Sequence, residues 1–133
     1  MYHTCDDFPE PQEGSVFYEG DFSYACLAFA PKTEGHSIVA WRDHVKDLND
    51  LDEEAFRHFM GVVRQVRIAL GRVYPGALVY MDYWNEIGHV HVHLIPRHED
   101  SEKTGPELLI QPSGQLADLS KIPMLIAALK GKI

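Results

Sequence analysis

His89-Val90-His91-Val92-His93-Leu94-Ile95-Pro96 alternates three histidines with three aliphatic residues, the period-two pattern of a half-buried β-strand. Side chains at i, i+2 and i+4 share one face, so the imidazoles form a row at roughly 7 Å spacing while Val90, Val92 and Leu94 turn to the core. A row of imidazoles is poor packing material and good material for handling phosphate or protons. The stretch marks a candidate enzyme site on a strand.

Working outward, Ala77–Trp84 reads as a second strand, joined to the first through Asn85-Glu86-Ile87-Gly88. Before it comes the clearest helix. Phe56, Phe59, Val63, Val66, Leu70 and Val73 recur at spacings of three and four, drawing one apolar stripe along about 20 residues. Asp50 with Glu53 resembles a capping box, Pro75-Gly76 ends the helix, and His58 falls on its polar side. Ser15–Tyr18 and Ser23–Ala30 read as strands around the turn Glu19-Gly20-Asp21, and Ser37–Trp41 as a third strand after the loop Pro31 to Gly35.

The ends are less regular. Residues 1–14, with Pro9, Pro11 and Gly14, are expected to be a loose N-terminal arm, and 99–107 a mobile loop. Leu108–Gln111 reads as a short edge strand, and Ser120 to Lys130 as a C-terminal helix with Ser120 as its cap and Pro123 in its first turn. The order β-β-β-α-β-β with hairpin-length links implies an α+β fold. We expect one domain over 1–133: an antiparallel β-sheet of about five strands, one long helix packed on it, and a short C-terminal helix.

A chain of 133 residues is long enough for one real hydrophobic core. The net charge of −8 argues against broad nucleic-acid binding, which relies on a basic face. No apolar run approaches a membrane span and the N-terminus lacks signal-peptide character. Two cysteines, Cys5 and Cys26, read as free thiols in a reducing compartment. The expectation is a cytoplasmic protein with no nucleic-acid and no membrane partner.

Two chemistries suit the histidine row. All three imidazoles can hardly meet at one metal ion, because the backbones of His89 and His93 are about 14 Å apart on one strand. Two neighbours with a third ligand from elsewhere could hold one. A row is better suited to an extended polyphosphate or to in-line displacement at phosphorus. A neutral imidazole is a competent nucleophile, and its neighbours can donate to phosphate oxygens or protonate a leaving group.

His89-x-His91-x-His93 resembles the signature of the histidine-triad (HIT) superfamily of nucleotide hydrolases and transferases. The likeness extends to Pro31-Lys32-Thr33-Glu34-Gly35-His36-Ser37-Ile38-Val39, followed by His44, and to Pro96-Arg97; it covers about residues 15–98. It implies a HIT-like fold and attack by His91 on the α-phosphorus of a nucleoside phosphoramidate or dinucleoside polyphosphate, forming a nucleotidyl-histidine intermediate. His89 would support His91, its carbonyl fixing the tautomer. His93 and His36 would bind phosphate oxygens and assist the leaving group. No cofactor is implied for the covalent chemistry, a divalent metal entering only as substrate counter-ion, and a homodimer is implied.

Several positions depart from the family pattern, among them Ala40-Trp41-Arg42 where I-P-K is usual. Ala28 stands eight residues before His36, where relatives carry a polar or acidic ribose ligand, and Glu86 stands where many carry a Ser or Thr phosphate donor. Asn85, Trp41 and Arg97 are further candidates for contact with the nucleotide, Asn85 through phosphate or sugar, Arg97 through phosphate, and Trp41 by stacking on the base, with core burial the commoner fate of a tryptophan in a strand. Trp84 shares that stacking possibility, Phe17 and Phe29 read as core, and His3 and His98 as surface. Two rival readings remain: a non-catalytic nucleotide-binding module, favoured by Ala28 and Glu86, and a metalloenzyme joining His36 to two triad histidines.

Overall fold

The computed structural model describes residues 8–113 and 116–133; His3, Cys5 and the first half of the N-terminal arm lie outside them. Five strands form one antiparallel sheet: β1 (Val16–Glu19), β2 (Ser23–Leu27), β3 (Ser37–Trp41), β4 (Leu78–Asp82) and β5 (His91–Arg97), in the spatial order β1-β2-β3-β5-β4. Helix α1 (Glu53–Val73) lies across one face, followed by α2 (Pro106–Ile110) and α3 (Ile122–Leu129). The fold is the expected α+β arrangement. Among the described residues, no helix is long and apolar enough to cross a membrane.

Alternation along the strands sorts the sheet into two faces. Ala25 and Leu27, Val39 and Trp41, and Val92 and Leu94 join the core beneath α1. The helix contributes Phe59, Val62, Val63, Val66, Ala69 and Leu70, all buried; full burial of each larger side chain stabilises by about 1.5–3 kcal/mol. Phe56, expected in the same stripe, is 40% exposed. It sits in the first turn, ahead of the part of the helix that lies on the sheet. The opposite face carries a small apolar cluster of Phe8, Tyr24, Cys26 and Ala40. Cys26 is a free, buried thiol whose pKa burial raises to about 12, which leaves it without thiolate reactivity at neutral pH.

Several local expectations are corrected. The cap of α1 is Asp52, whose carboxylate accepts from Ala55 N, not Asp50; Asp47 caps a preceding 3-10 turn over Leu48–Asp50. Leu108–Gln111 is not a strand: Gly105 turns the chain at φ +58° and Pro106 opens the five-residue α2, burying Leu108. Pro at the first helical position costs no hydrogen bond and presets φ, a signal that outweighs the β-branched Ile110. The last helix is capped not by Ser120 but through Asp118, which accepts from Ser120 N in a 3-10 turn that feeds α3. Phe29, read as core, is 60% exposed because β2 ends at Leu27 and the chain leaves the sheet before it.

Candidate active site

Strand β5 is interior to the sheet, held by β3 on one side and β4 on the other, so its side chains stand on a rigid support. The strand itself begins at His91 rather than His89. His89 belongs to the incoming turn, buried, with its Nε2–H donating to the Trp41 carbonyl at 2.7 Å. A carbonyl only accepts, so the contact assigns the proton to Nε2.

The same reasoning runs through the other imidazoles. His91 donates from Nδ1–H to the His89 carbonyl at 2.7 Å, which leaves its Nε2 as an unprotonated lone pair. The backbone N–H of Lys32 donates to His36 Nδ1 at 2.9 Å, so neutral His36 carries its proton on Nε2. That proton meets His93 Nδ1 at 2.9 Å, and neutral His93 therefore carries its own on Nε2. Three backbone groups thus set the tautomers. His91 offers a lone pair, and its ring neighbour His93, at 5.1 Å between centroids, offers an N–H.

Burial keeps these rings neutral. Desolvation, then the charges of His93 and Lys32, lowers the His36 pKa to about 3; desolvation and His91 lower His93 to about 4. His91 is also lowered by desolvation, partly offset by its bond to the His89 carbonyl. The burial has an unexpected source. Phe8, assigned from sequence to the arm, stacks on His89 at 4.5 Å and lies tilted over His91 at 4.6 Å, leaving His91 1% exposed. On the exposed side, His44 stacks on His89 at 5.8 Å.

His36 arrives through the loop between β2 and β3. Gly35 precedes it at φ +89°, where a Cβ would lie 2.5 Å from the Tyr74 ring. Only glycine takes that turn so close to an aromatic wall. The loop is tied down by Thr33 Oγ1 donating to the Pro96 carbonyl and Ser113 Oγ to the Pro31 carbonyl. Gln111 and Lys32 exchange two further bonds, Lys32 Nζ to the Gln111 carbonyl and Gln111 Nε2 to the Lys32 carbonyl. These C-terminal ties to the loop carry no sequence motif. Only the extended backbone after α2 brings them into reach.

The other candidates are not gathered here. Trp41 faces the core beneath α1, on the opposite side of the sheet from His91 and His93, which removes it as a base-stacking residue. Asn85 Nδ2 donates to Asp47 Oδ2, in a loop that Tyr83 also ties to Asp47; its amide is engaged away from the imidazoles. Arg97 shares the histidine face of β5 but follows His93 by four residues, about 13 Å along the strand, and its buried Nε has no hydrogen-bond partner. Ala28 donates its N–H to the His36 carbonyl at 2.8 Å, so the strand is not shifted and a short apolar side chain does stand opposite His36. Glu86 is exposed in the connecting turn. Among the described residues, no three His, Cys, Asp or Glu side chains are grouped to hold a metal ion.

The comparisons with known proteins converge with this geometry. The HIT domain model matches residues 10–100. The adenosine 5'-monophosphoramidase HNT1 of Saccharomyces cerevisiae is 28% identical over 126 residues, spanning 86% of this chain and 72% of its own. A hypothetical histidine triad nucleotide-binding protein of Sulfolobus tokodaii superposes with a TM-score of 0.66 at 25% identity, covering 92% of this chain and 89% of that one. A histidine triad protein of Bradyrhizobium japonicum gives 0.68 at 20% identity, covering 89% of each. With two triad imidazoles on an interior strand and the third in the turn leading into it, an upstream histidine bonded to them, and a family match over residues 10–100, this chain belongs to the HIT domain family.

Proposed function

We propose that this protein is a nucleotide hydrolase or nucleotidyl transferase that attacks the α-phosphate of a nucleoside phosphoramidate or dinucleoside polyphosphate. The observation that carries the reading is the bond from His91 Nδ1–H to the His89 carbonyl, which leaves Nε2 with an unprotonated lone pair as the nucleophile. The phosphoramidase relative supports the phosphoramidate as the first substrate to test.

In the first step His91 Nε2 bonds to the α-phosphorus as the P–N or P–O bond to the leaving group breaks. The His36–His93 pair, neutral while the site is empty, takes up one proton beside the anionic phosphate, since an adjacent negative charge favours the imidazolium. It gives that proton to the departing atom. Water then attacks the phosphorus, releases the nucleoside monophosphate and frees His91, while its proton passes to the free monophosphate or to solvent. No cofactor takes part, and a divalent ion enters only on the substrate's phosphates.

The expected homodimer would use the outer edge of β4, where Leu78 and Met81 are 55% and 51% exposed and Arg67 donates to the Val79 carbonyl; an apolar edge strand is a template for a second chain. A cytoplasmic location remains the expectation from the free thiols.

The test is release of AMP or GMP from a panel of phosphoramidates and dinucleoside polyphosphates, with His91→Asn alongside. Asparagine keeps a donor for the His89 carbonyl and removes the nucleophile. Release by the native chain alone, with acid-labile label on the native protein, supports the reading. Equal release by the variant overturns the nucleophile. Tight AMP binding without turnover by either would favour the binding module, the reading to which Ala28 and Glu86 point.

A further inference from the structure

On the helix side of the sheet, away from the imidazole row, a cleft of about 350 Å³ opens where the β1–β2 turn meets the start of α1. Its walls are Phe22, Trp41 and His58, with the carboxylates of Asp43, Asp52 and Glu54 around them. We propose that this cleft binds a small organic ammonium ion, the three rings forming its walls and the carboxylates its rim.

The ring geometry argues for a compact cation. Phe22 and Trp41 lie nearly parallel, 5.9 Å apart at 12°. His58 stands edge-on to both, at 5.4 Å and 81° from Phe22 and 6.5 Å and 74° from Trp41. Two stacked rings and a third at right angles make a corner. A flat guanidinium would cover one ring face and leave the wall at right angles to it uncontacted. A rounded ammonium head fills a corner and meets the outward face of Phe22, which itself covers the 8% exposed Trp41.

Phe22 is 55% exposed although it sits on a well-packed tryptophan, so the turn holds an aromatic ring in solvent at a cost in hydration free energy. The charges complement a cation. Among the described residues, no lysine or arginine lines the cleft. Two arginines close to it in sequence are drawn off: Arg42 to Glu19 and the Gly20 carbonyl, Arg57 to Glu53. Asp52 spends one oxygen capping α1, which leaves its second oxygen, Asp43 and Glu54 facing the opening. The net charge of −8 adds a long-range attraction for cations.

This inference is independent of the chemistry at His91. The experiment is a titration of the native chain with choline and, separately, with its neutral isostere 3,3-dimethylbutanol, read by NMR at the Trp41 indole and His58 ring. Choline should give saturable shifts confined to those rings and Phe22, and the alcohol should not. Phe22→Ala, a change in an exposed turn, should weaken choline by at least about tenfold, as should Asp43→Asn combined with Glu54→Gln. Nucleotide release should be unchanged in both variants. Absence of saturation by roughly 50 mM choline, equal binding of the alcohol, preference for arginine amide over choline, or full affinity in Phe22→Ala would each overturn the proposal.

Discussion

The two faces of β5 are built from alternate residues of one strand and are held together by different forces. Val92 and Leu94 are packed under α1 in an apolar core. His91 is nearly as well shielded and His93 half-buried, but by a hydrogen bond from His91 to the His89 carbonyl, one between His36 and His93, and the ring of Phe8 over His91. One face gains stability by leaving water. The other loses some, because imidazoles that would accept a proton in the unfolded chain near pH 6 are kept neutral. The contrast teaches that burial is used here for opposite ends: cohesion on one side, a preset lone pair on the other.

That contrast can be broken residue by residue. The largest effect is expected at His91. Replacement by asparagine should lower turnover by about 10⁴-fold or more, while the thermal midpoint moves by only a few degrees; a comparable loss of both in differential scanning calorimetry would mean that the two faces are not separable. Leu94→Ala should do the reverse. It should lower unfolding free energy by about 3 kcal/mol in urea titration and leave the specific activity of the folded fraction intact at low temperature.

Acid sharpens the comparison further. His36 and His93 have folded pKa values lowered to about 3 and about 4, below their unfolded values, so the unfolded state binds more protons at mildly acid pH. Their contribution is fully present above about pH 6.5 and falls away as pH drops toward the folded values. The expected slope is about 1.4 kcal/mol per pH unit for each ring, and His36→Asn should remove one ring's share. A stability that stays flat from pH 7 to 5 would contradict neutral burial. The smallest effect is expected at Asn85: its exposed bond to Asp47 predicts that Asn85→Ala changes the Michaelis constant less than about threefold.

Much of this was legible in the chain. The alternation from His89 to Pro96 and the three-four spacing of α1 reflect fixed repeats of the backbone, so both elements and their inward faces could be read directly. Trp41 was left between base stacking and core burial for a related reason. Its strand was correct, but a strand position alone does not say which face meets the site until the register with β5 is known. Phe8 was missed because a lone aromatic between prolines and acids has no period. Its partner rings lie some 80 residues away. The loop holding His36 was visible through Gly35-His36, yet its ties to Gln111 and Ser113 depend on where the chain returns after α2.

By itself, then, the sequence determined the types of the longer elements and the family, because these depend on local periodicity and on residue identity at short spacing; His36 was tied to the triad by the family resemblance. Only the tertiary structure decided the protonation pattern at His36, His89 and His93. The Trp41, Lys32 and His89 backbone groups come within hydrogen-bonding reach through strand pairing and a loop turn, and it is their fixed donor or acceptor character that sets where each imidazole proton sits.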